Sequence, residues 1–422
     1  MKKILLVAFS LTLMQISKGQ NCGAGTSGFT PINDLGAGTF NSWTGGLYPN
    51  GSNYLPSGHK AAGLNMAGQI QCLEANGVPD AVNGKIVWLS IGMSNTTMET
   101  QQFIPLANAY VGKNPKLTLV DGALGGMQAD FISDPNNSNY PTYWNTVNTR
   151  LANAGVTAQQ VQVIWFKEAD AGGSTPAMTY HDSLVDEFIR IMHDIKIRFP
   201  NAKLCYLASR ISARYANTTL NPEPYAYYQG WAVKHVIEQQ INNSAQLQYS
   251  GSNPNSPWLC WGRYLWSDGS TPQVSNPNIF WSCPADFQSD GTHPSIPVGA
   301  LKVANLLLNF FVNDSTTTPW FLGTGCPTPN YVNESYSSGS GLNIFPDPSE
   351  GHTSFEFTSE YTQVGYWEVL DVLGQRVANG TINVNEGKNK LDLNLSELST
   401  GLYTMRITAE NFSVSKKFIL AK

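Results

Sequence analysis

Four short, mostly apolar runs in the first half of the chain predict buried parallel strands. The runs are residues 85–91, 117–120, 161–166 and 204–207. Each is short enough for a strand and apolar enough to be covered on both faces. Stretches of helical character lie between them, at residues 95–108, 143–153 and 183–199. Strands that alternate with helices predict an α/β domain, a parallel sheet within three layers, which we place at 83–313.

The pattern changes after residue 341, where apolar and polar residues alternate in short segments separated by turn residues. These segments are residues 355–357, 366–370, 390–393 and 403–408. Such alternation is typical of antiparallel strands, so residues 341–422 are predicted to form a small β-sandwich. A closing helix at 301–311 precedes a Thr-, Pro-, Ser- and Gly-rich linker at 314–340.

The N-terminal part of the chain predicts export. Residues 1–19 have two lysines, a short apolar core and a small-residue cleavage zone, which is typical of a secretory signal peptide. That apolar core is too short to span a bilayer, and we predict no membrane span elsewhere. Residues 20–82 are rich in Gly, Pro, Asn and Ser with little periodicity. They predict an irregular extension packed on the main domain.

Composition agrees with an extracellular protein. Of the 422 residues, 41% are hydrophobic and only 13% are charged, which is typical of loop-rich exported domains. The net charge of −5 and the absence of a basic stripe argue against a nucleic-acid partner. Six cysteines favour disulfides among 15 possible pairings. We prefer Cys260 with Cys283 because both flank one aromatic loop. No spacing indicates zinc, and we predict neither metal nor cofactor.

Two motifs far apart in the chain supply the chemistry of a serine hydrolase. The nucleophile motif, residues 92–95, carries Ser94 directly after a predicted strand, and the acid–base motif, residues 290–295, carries Asp290 and His293. A serine hydroxyl attacks when an imidazole takes its proton, and a carboxylate can fix the tautomer of that imidazole. Alone, Ser94 is more often a helix N-cap. The acid–base motif is the stronger of the two, and a surface turn with a solvated histidine is its alternative interpretation. Together they predict Ser94 as nucleophile, His293 as base and Asp290 as its orienting group.

The motifs and their order resemble those of the SGNH hydrolases, also called GDSL esterases. Gly92-Met93-Ser94-Asn95 corresponds to the Gly-Asp-Ser of family members or to the Gly-Gln-Ser-Asn of the carbohydrate-esterase branch, and Met93 departs from both. The resemblance implies an oxyanion hole formed by the N–H of Ser94 and that of a glycine in residues 121–127. Gly126 is the closer match by position, and Gly125 is the alternative.

The third motif, residues 165–170, departs from the family pattern. Most members carry Gly-x-Asn-Asp there, and the Asn side chain donates to the oxyanion. Here the residues are Trp165-Phe166-Lys167-Glu168-Ala169-Asp170, without Asn or Gln. They are nearer to the Gly-Glu-Ser-Asp of the carbohydrate-esterase branch. A lost donor typically costs about 3–4 kcal/mol of transition-state stabilisation. Lys167 could substitute as a cation, or it could pair with Glu168 or Asp170.

An aromatic-rich segment separates the third motif from the acid–base motif. Its aromatic residues are Tyr225, Tyr227, Tyr228, Trp231, Trp258, Trp261, Tyr264, Trp266 and Trp281. Exposed rings would form a platform for sugars, whereas buried rings would form core. The candidate substrate-binding residues are Asn95, Trp231, Trp261 and Trp266. Arg210, Arg214 and Arg263 could bind the carboxylates of an acidic glycan or form ordinary ion pairs, and Arg210 is the best placed.

The C-terminal segment resembles the sorting domain of the type IX secretion system of Bacteroidetes. The matching stretches are residues 343–348, 370–375, 398–403 and 417–420. The resemblance implies the type IX secretion machinery as a partner. It also implies a secreted or cell-surface location, reached through the periplasm and outer membrane. A sugar-binding sandwich is the alternative interpretation.

These features lead to one expected function and one alternative from a different class. We expect an exported serine esterase that removes acetyl or similar acyl groups from a polysaccharide by a Ser-His-Asp mechanism. The alternative is a surface glycan-binding protein whose hydrolase site is degenerate at the third motif. Hydrolysis of lipid or peptide is a weaker third possibility, because no long apolar acyl channel is evident in the sequence.

Overall fold

The computed structural model describes residues 19–327, 342–359, 362–371, 376–409 and 412–421. The chain divides into two compact units, Met1–Pro329 and Asn330–Lys422. The predicted signal peptide, apart from Gly19, lies outside the described residues. So does the predicted linker from residue 328 onward.

The predicted N-terminal extension contains more regular structure than its composition indicated. It includes helix α1 (Ile32–Leu35), a hairpin of β1 (Thr39–Phe40) and β2 (Trp43–Thr44), and helix α2 (Ser57–Gly68). The buried positions of α2 are His59, Gly63 and Ala67. Helix α2 was not predicted because these small and polar residues produce no apolar periodicity.

A five-stranded parallel sheet forms the centre of the first unit. Its strands are β3 (Ile86–Gly92), β4 (Leu117–Asp121), β5 (Val161–Lys167), β6 (Leu204–Ala208) and β7 (Trp258–Arg263). Their spatial order is β4-β3-β5-β6-β7, and every neighbouring pair is parallel. The first four strands match the predicted apolar runs. The fifth, β7, lies in the aromatic-rich segment and was not predicted as a strand.

Helices cover both faces of the sheet. In chain order they are α3 (Ser94–Ala109), α4 (Ala129–Ser133), α5 (Tyr140–Asn153), α6 (Ala177–Arg198), α7 (Tyr225–Ile241), α8 (Val298–Asn313) and α9 (Thr318–Phe321). Short 3₁₀ turns occupy Pro49–Gly51, Ala158–Gln160 and Ala245–Leu247. One apolar core joins the sheet to α4 through α7, and the other joins it to α2, α3, α8 and α9. The α/β prediction is confirmed. Within the described residues, no helix is long and apolar enough to cross a membrane.

The first unit extends beyond the predicted boundary at residue 313. Helix α9 follows it and buries Trp320 and Phe321 in the core. Farther along, Cys326 forms a disulfide with Cys72. The predicted linker therefore begins too early, because two aromatic residues and a cysteine within a Thr- and Pro-rich stretch attach it to the unit.

The cysteine pairing differs from the preferred one. Disulfides join Cys22 to Cys283 and Cys72 to Cys326, whereas Cys205 and Cys260 are free and buried. Pairing of Cys260 with Cys283 was wrong, because Cys260 lies inside strand β7 and packs in the core. The two free cysteines lie on neighbouring strands but belong to the cores on opposite faces of the sheet.

The second unit is an antiparallel β-sandwich, as predicted. Its strands are β8 (Asn343–Phe345), β9 (His352–Ser359), β10 (Gln363–Leu370), β11 (Arg376–Val384), β12 (Gly387–Asn394), β13 (Gly401–Ala409) and β14 (Phe412–Leu420). They form two sheets, ordered β11-β10-β13-β14 and β12-β9-β8. Apolar side chains from both sheets share one core.

Candidate active site

The nucleophile motif lies at the carboxyl end of β3, next to the third motif at the end of β5. Gly92 is paired with Lys167 in the parallel ladder, and Ser94 begins α3 two residues later. A Cβ on Gly92 would collide with the Lys167 carbonyl oxygen and with Oγ1 of Thr96. Glycine is therefore required for the tight turn from β3 into α3. With this strand order, ligands bind at the carboxyl ends of the strands, at the β3–β5 junction.

The structure brings Ser94, His293 and Asp290 together. The Ser94 Oγ lies 2.7 Å from Nε2 of His293. On the other side of the imidazole, Nδ1 lies 2.5 Å from Oδ2 of Asp290. Nδ1–H donating to the carboxylate leaves Nε2 as the acceptor for the serine proton. The three side chains thus form a continuous hydrogen-bond relay from carboxylate to hydroxyl.

A tight turn fixes the carboxylate of Asp290. Its Oδ1 accepts the backbone N–H groups of Thr292 and His293, each at 3.0 Å. Gly291, which follows Asp290, has φ +71°, and a Cβ there would collide with the Tyr215 carbonyl oxygen. Burial raises the pKa of Asp290, but the hydrogen bonds from His293 and Thr292 outweigh it and lower the pKa to about 2. The Asp290 carboxylate is therefore ionised at pH values above about 2.

The backbone N–H groups of Ser94, Gly125 and Gly126 are the candidates for an oxyanion hole. Ser94 is the first residue of α3, where the helix dipole favours negative charge. A side chain on Gly125 would approach Cβ of Ser94 to 3.6 Å, and the neighbouring Gly126 has φ +78°. Within the described residues, none of these three N–H groups donates a hydrogen bond to the protein. Gly125 is thus near Ser94, and both glycine N–H groups are available to an oxyanion.

Lys167 does not replace the Asn donor that the third motif lacks, because it is paired inside the protein. Its Nζ lies 2.6 Å and 2.9 Å from the two carboxylate oxygens of Glu99, on α3, and both side chains are 1% exposed. Burial lowers the pKa of Lys167, while the Glu99 carboxylate raises it. The alternative expectation, an ion pair between Lys167 and Glu168 or Asp170, was also wrong, because the partner is Glu99. A buried amine bound to a carboxylate offers no exposed cation to a substrate.

The acidic residues of the third motif, Glu168 and Asp170, make their contacts within the protein. Glu168 is buried, its Oε1 accepts the N–H of Ala169, and its Oε2 has no partner among the described residues. Burial raises the pKa of Glu168 well above its usual range. Asp170 accepts the N–H of Asp130 and lies beside Glu187, whose pKa is raised to about 9 by burial and by Asp170. Glu187 was not singled out from the sequence, where it is one polar residue of an amphipathic helix.

Asn95 and Arg210 do not bind substrate from where they lie. Each is only 3% exposed, and both side chains donate to Thr292 in the acid–base motif. Arg214 donates to the carbonyl oxygens of Ala24 and Asp268. Arg263 donates to residues of α8. All three arginines thus donate hydrogen bonds within the protein, and Arg214 also lies 3.7 Å from the Asp268 carboxylate.

The aromatic-rich segment forms core and not a surface platform, which decides between the two interpretations of the sequence. Trp231, Trp261 and Trp266 are 0%, 5% and 0% exposed, and the other aromatic residues of the segment are also buried. The N-terminal extension covers them: Phe40 stacks on Trp231, and the Trp261 indole N–H donates to the Leu47 carbonyl oxygen. Aromatic density alone did not distinguish a surface platform from rings that helix α7 and strand β7 bury.

Outside the relay, the described residues contain no metal-site arrangement but do form a groove. No group of His, Cys, Asp and Glu within the described part of the chain has the arrangement of a metal site. A groove of about 700 Å³ follows the outer face of α8, with Arg263, Lys302 and four asparagines in its wall. Ser94, Asp290 and His293 do not line it.

Comparisons with known proteins are informative for the second unit. Residues 343–421 match the family model of the secretion system C-terminal sorting domain. No curated protein matches the chain. One similar solved structure is described as a putative platelet activating factor from Streptococcus pneumonia. It is 12% identical with a TM-score of 0.32, over 60% of this chain and 92% of that one.

Two more structures show comparably distant similarity. A gut microbial diltiazem-metabolizing enzyme is 13% identical with a TM-score of 0.31, over 71% of this chain and 72% of that one. A DUF3244 family protein with an immunoglobulin-like β-sandwich fold, from Bacteroides vulgatus, is 11% identical with a TM-score of 0.15. It covers 20% of this chain and 100% of its own. These values assign no family to the first unit. Residues 343–421, however, are a type IX secretion C-terminal sorting domain, which implies export to the cell surface or secretion.

Proposed function

We propose that the first unit is an SGNH-like serine esterase that removes acetyl or similar small acyl groups from a polysaccharide. The observation that carries the proposal is the relay from Asp290 through His293 to Ser94, with separations of 2.5 Å and 2.7 Å. A hydroxyl, an imidazole and a carboxylate in this order are the parts that acyl transfer to serine requires.

Each group has a defined step in the mechanism. Ser94 Oγ attacks the ester carbonyl while His293 Nε2 takes its proton, and Asp290 stabilises the imidazolium. The tetrahedral oxyanion accepts N–H groups from Ser94 and from Gly125 or Gly126. His293 then protonates the departing sugar oxygen, leaving an acyl-serine. A water molecule, deprotonated by His293, attacks this ester and releases the carboxylic acid and the free serine.

Three observations support a polysaccharide as the acyl carrier. Gly92-Met93-Ser94-Asn95 and Glu168-Ala169-Asp170 resemble motifs of the carbohydrate-esterase branch. The sorting domain implies export, which brings the enzyme to extracellular polymers. Gly125 and Gly126 are also exposed, so a bulky chain can approach the nucleophile on that side.

The glycan-binding alternative rests on the third motif. With Lys167 paired to Glu99, neither an amide nor a cation of that motif replaces the usual side-chain donor. A site with only backbone donors loses about 3–4 kcal/mol relative to one with three. However, the burial of Trp231, Trp261 and Trp266 removes the aromatic surface that would have favoured sugar binding.

Hydrolysis of a small aryl acetate by wild type and Ser94→Ala tests the proposal. We expect turnover by wild type that is lost in Ser94→Ala. Acetate release from acetylated polysaccharides would then define the carrier. If wild type and Ser94→Ala hydrolyse the ester equally slowly while both retain glycan affinity, the binding alternative is correct.

A further inference from the structure

Thr292, between Asp290 and His293, has every polar group engaged. Its N–H donates to Asp290 Oδ1 at 3.0 Å, and its hydroxyl accepts Arg210 Nη2 at 2.8 Å. Its carbonyl oxygen accepts Asn95 Nδ2 at 3.3 Å. Thr292 is fully buried. Thr292, which directly precedes His293, is therefore hydrogen-bonded to two other parts of the unit, helix α3 and the end of strand β6.

The bond from Asn95 closes a small ring around the Ser–His contact. Asn95 follows Ser94 in the chain, and Thr292 precedes His293. Ser94 binds His293 through side chains, and Asn95 binds Thr292 from side chain to carbonyl oxygen. The two contacts together restrict both the distance and the rotation between the nucleophile helix and the acid–base motif. Asp290 alone can orient the imidazole but cannot set its distance from α3.

Arg210 contributes a second side-chain hydrogen bond to Thr292, from the end of strand β6. Within the described residues, the only hydrogen bonds that its guanidinium donates go to Thr292. The backbone N–H of Arg210 donates to Oε1 of Gln229 on α7, and the amide of Gln229 donates to the Glu168 carbonyl oxygen. Fully burying a guanidinium is costly, and a hydroxyl is a modest partner for it. A role in positioning Thr292 explains why the cation is directed there.

We propose that Asn95 and Arg210 are positioning residues that act through Thr292 to hold His293 within hydrogen-bonding distance of Ser94. The inference rests on the proposed esterase function. Neither residue touches substrate, and both are too buried to do so. Their effect is on alignment, and a misplacement of about 1 Å at reacting groups can cost on the order of a hundredfold in rate.

Thr292→Val tests the proposal because it keeps the shape and removes the hydroxyl acceptor. We expect kcat for the aryl acetate to fall roughly 10- to 100-fold with little change in KM. Thr292→Ser, which retains the hydroxyl, should stay near wild type. Thr317→Val is the matched control: Thr317 is also fully buried and hydrogen-bonded in the same unit, to Phe311 and Asp314. It should leave kcat unchanged.

A second readout does not depend on turnover. The proton between His293 Nδ1 and Asp290 should give a low-field ¹H NMR signal, which we expect to broaden or shift in Thr292→Val but not in Thr317→Val. If wild type is inactive yet this pattern holds, the esterase proposal fails and the positioning role stands. If Thr292→Val keeps both kcat and the signal, or if Thr292→Ser loses as much as Thr292→Val, the positioning role of Arg210 is overturned. Asn95→Ala, which removes the bond to the Thr292 carbonyl oxygen, carries the same two tests for Asn95, and an unchanged kcat and signal would overturn that role. It also keeps the proposal testable should Thr292→Val not fold.

Discussion

Lys167 and Glu99 form an ion pair inside the protein, with 2.6 Å between Nζ and Oε1, beside the strand end where an oxyanion donor was expected. The lysine of strand β5 therefore joins the sheet to helix α3, whose first residue is Ser94. Its role is structural, and in the proposed mechanism backbone N–H groups alone hold the oxyanion.

Lys167→Met should destabilise the first unit by about 3–5 kcal/mol, because it leaves the Glu99 carboxylate buried without its cation. Lys167→Met combined with Glu99→Leu should recover much of that loss, since no buried charge remains. Urea unfolding of both variants measures the difference. Equal destabilisation of the single and double variants would show that the two side chains do not depend on each other.

Ser94 and His293 should act as one unit in hydrolysis. Ser94→Ala, His293→Ala and the double variant should each lose on the order of a thousandfold or more in kcat, to a similar residual rate. Without either partner, the proton transfer that activates the hydroxyl is absent. Losses that multiply in the double variant would contradict the relay. Steady-state kinetics on the aryl acetate provide the comparison.

Much of this arrangement was predictable from the sequence. Strands β3 to β6 are apolar on both faces, so their runs stand out, and Ser94, Asp290 and His293 lie in short motifs whose spacing determines the local turns. Gly92 and Gly291 belong to those motifs because a Cβ would collide at either position.

The ion pair, the burial of the tryptophans and the disulfide pairing were not predictable, because they depend on contacts between distant segments. Glu99 carries no local sign that it will bind Lys167, because the pair forms only when α3 packs beside β5. The tryptophans of α7 and β7 are buried partly by an extension almost two hundred residues earlier, through contacts such as Phe40 on Trp231. Disulfides between Cys22 and Cys283 and between Cys72 and Cys326 likewise link the two ends of the unit.

Glu187 should make the protein less stable as pH rises. Burial and the neighbouring Asp170 raise the pKa of Glu187 to about 9, so the folded state retains a proton that the unfolded chain releases near its ordinary value of about 4.5. Stability is then greatest below about pH 4.5 for this group and falls progressively towards pH 9. Glu187→Gln, which cannot ionise, should reduce the slope of melting temperature against pH between 5 and 9. An unchanged slope would contradict the assignment.

Cysteine chemistry should distinguish two classes of residue. Denatured, non-reduced protein should titrate two thiols, Cys205 and Cys260, and the native protein should react slowly because both are buried. Replacing both Cys72 and Cys326 by serine should lower the free energy of unfolding by about 2–5 kcal/mol, because that disulfide closes a long loop. Four titratable thiols in the denatured, non-reduced protein would contradict the pairing.

The most direct test of an activated serine is covalent labelling, which needs no knowledge of the natural substrate. A fluorophosphonate reacts with a serine hydroxyl only when a base removes its proton and an oxyanion hole accepts the phosphonyl oxygen. Incubation of the exported protein followed by peptide mass spectrometry should place a single phosphonyl adduct on Ser94. The adduct should be absent in Ser94→Ala and should form far more slowly in His293→Ala. No adduct on wild type, or an adduct on a different serine, would contradict the proposed catalytic site.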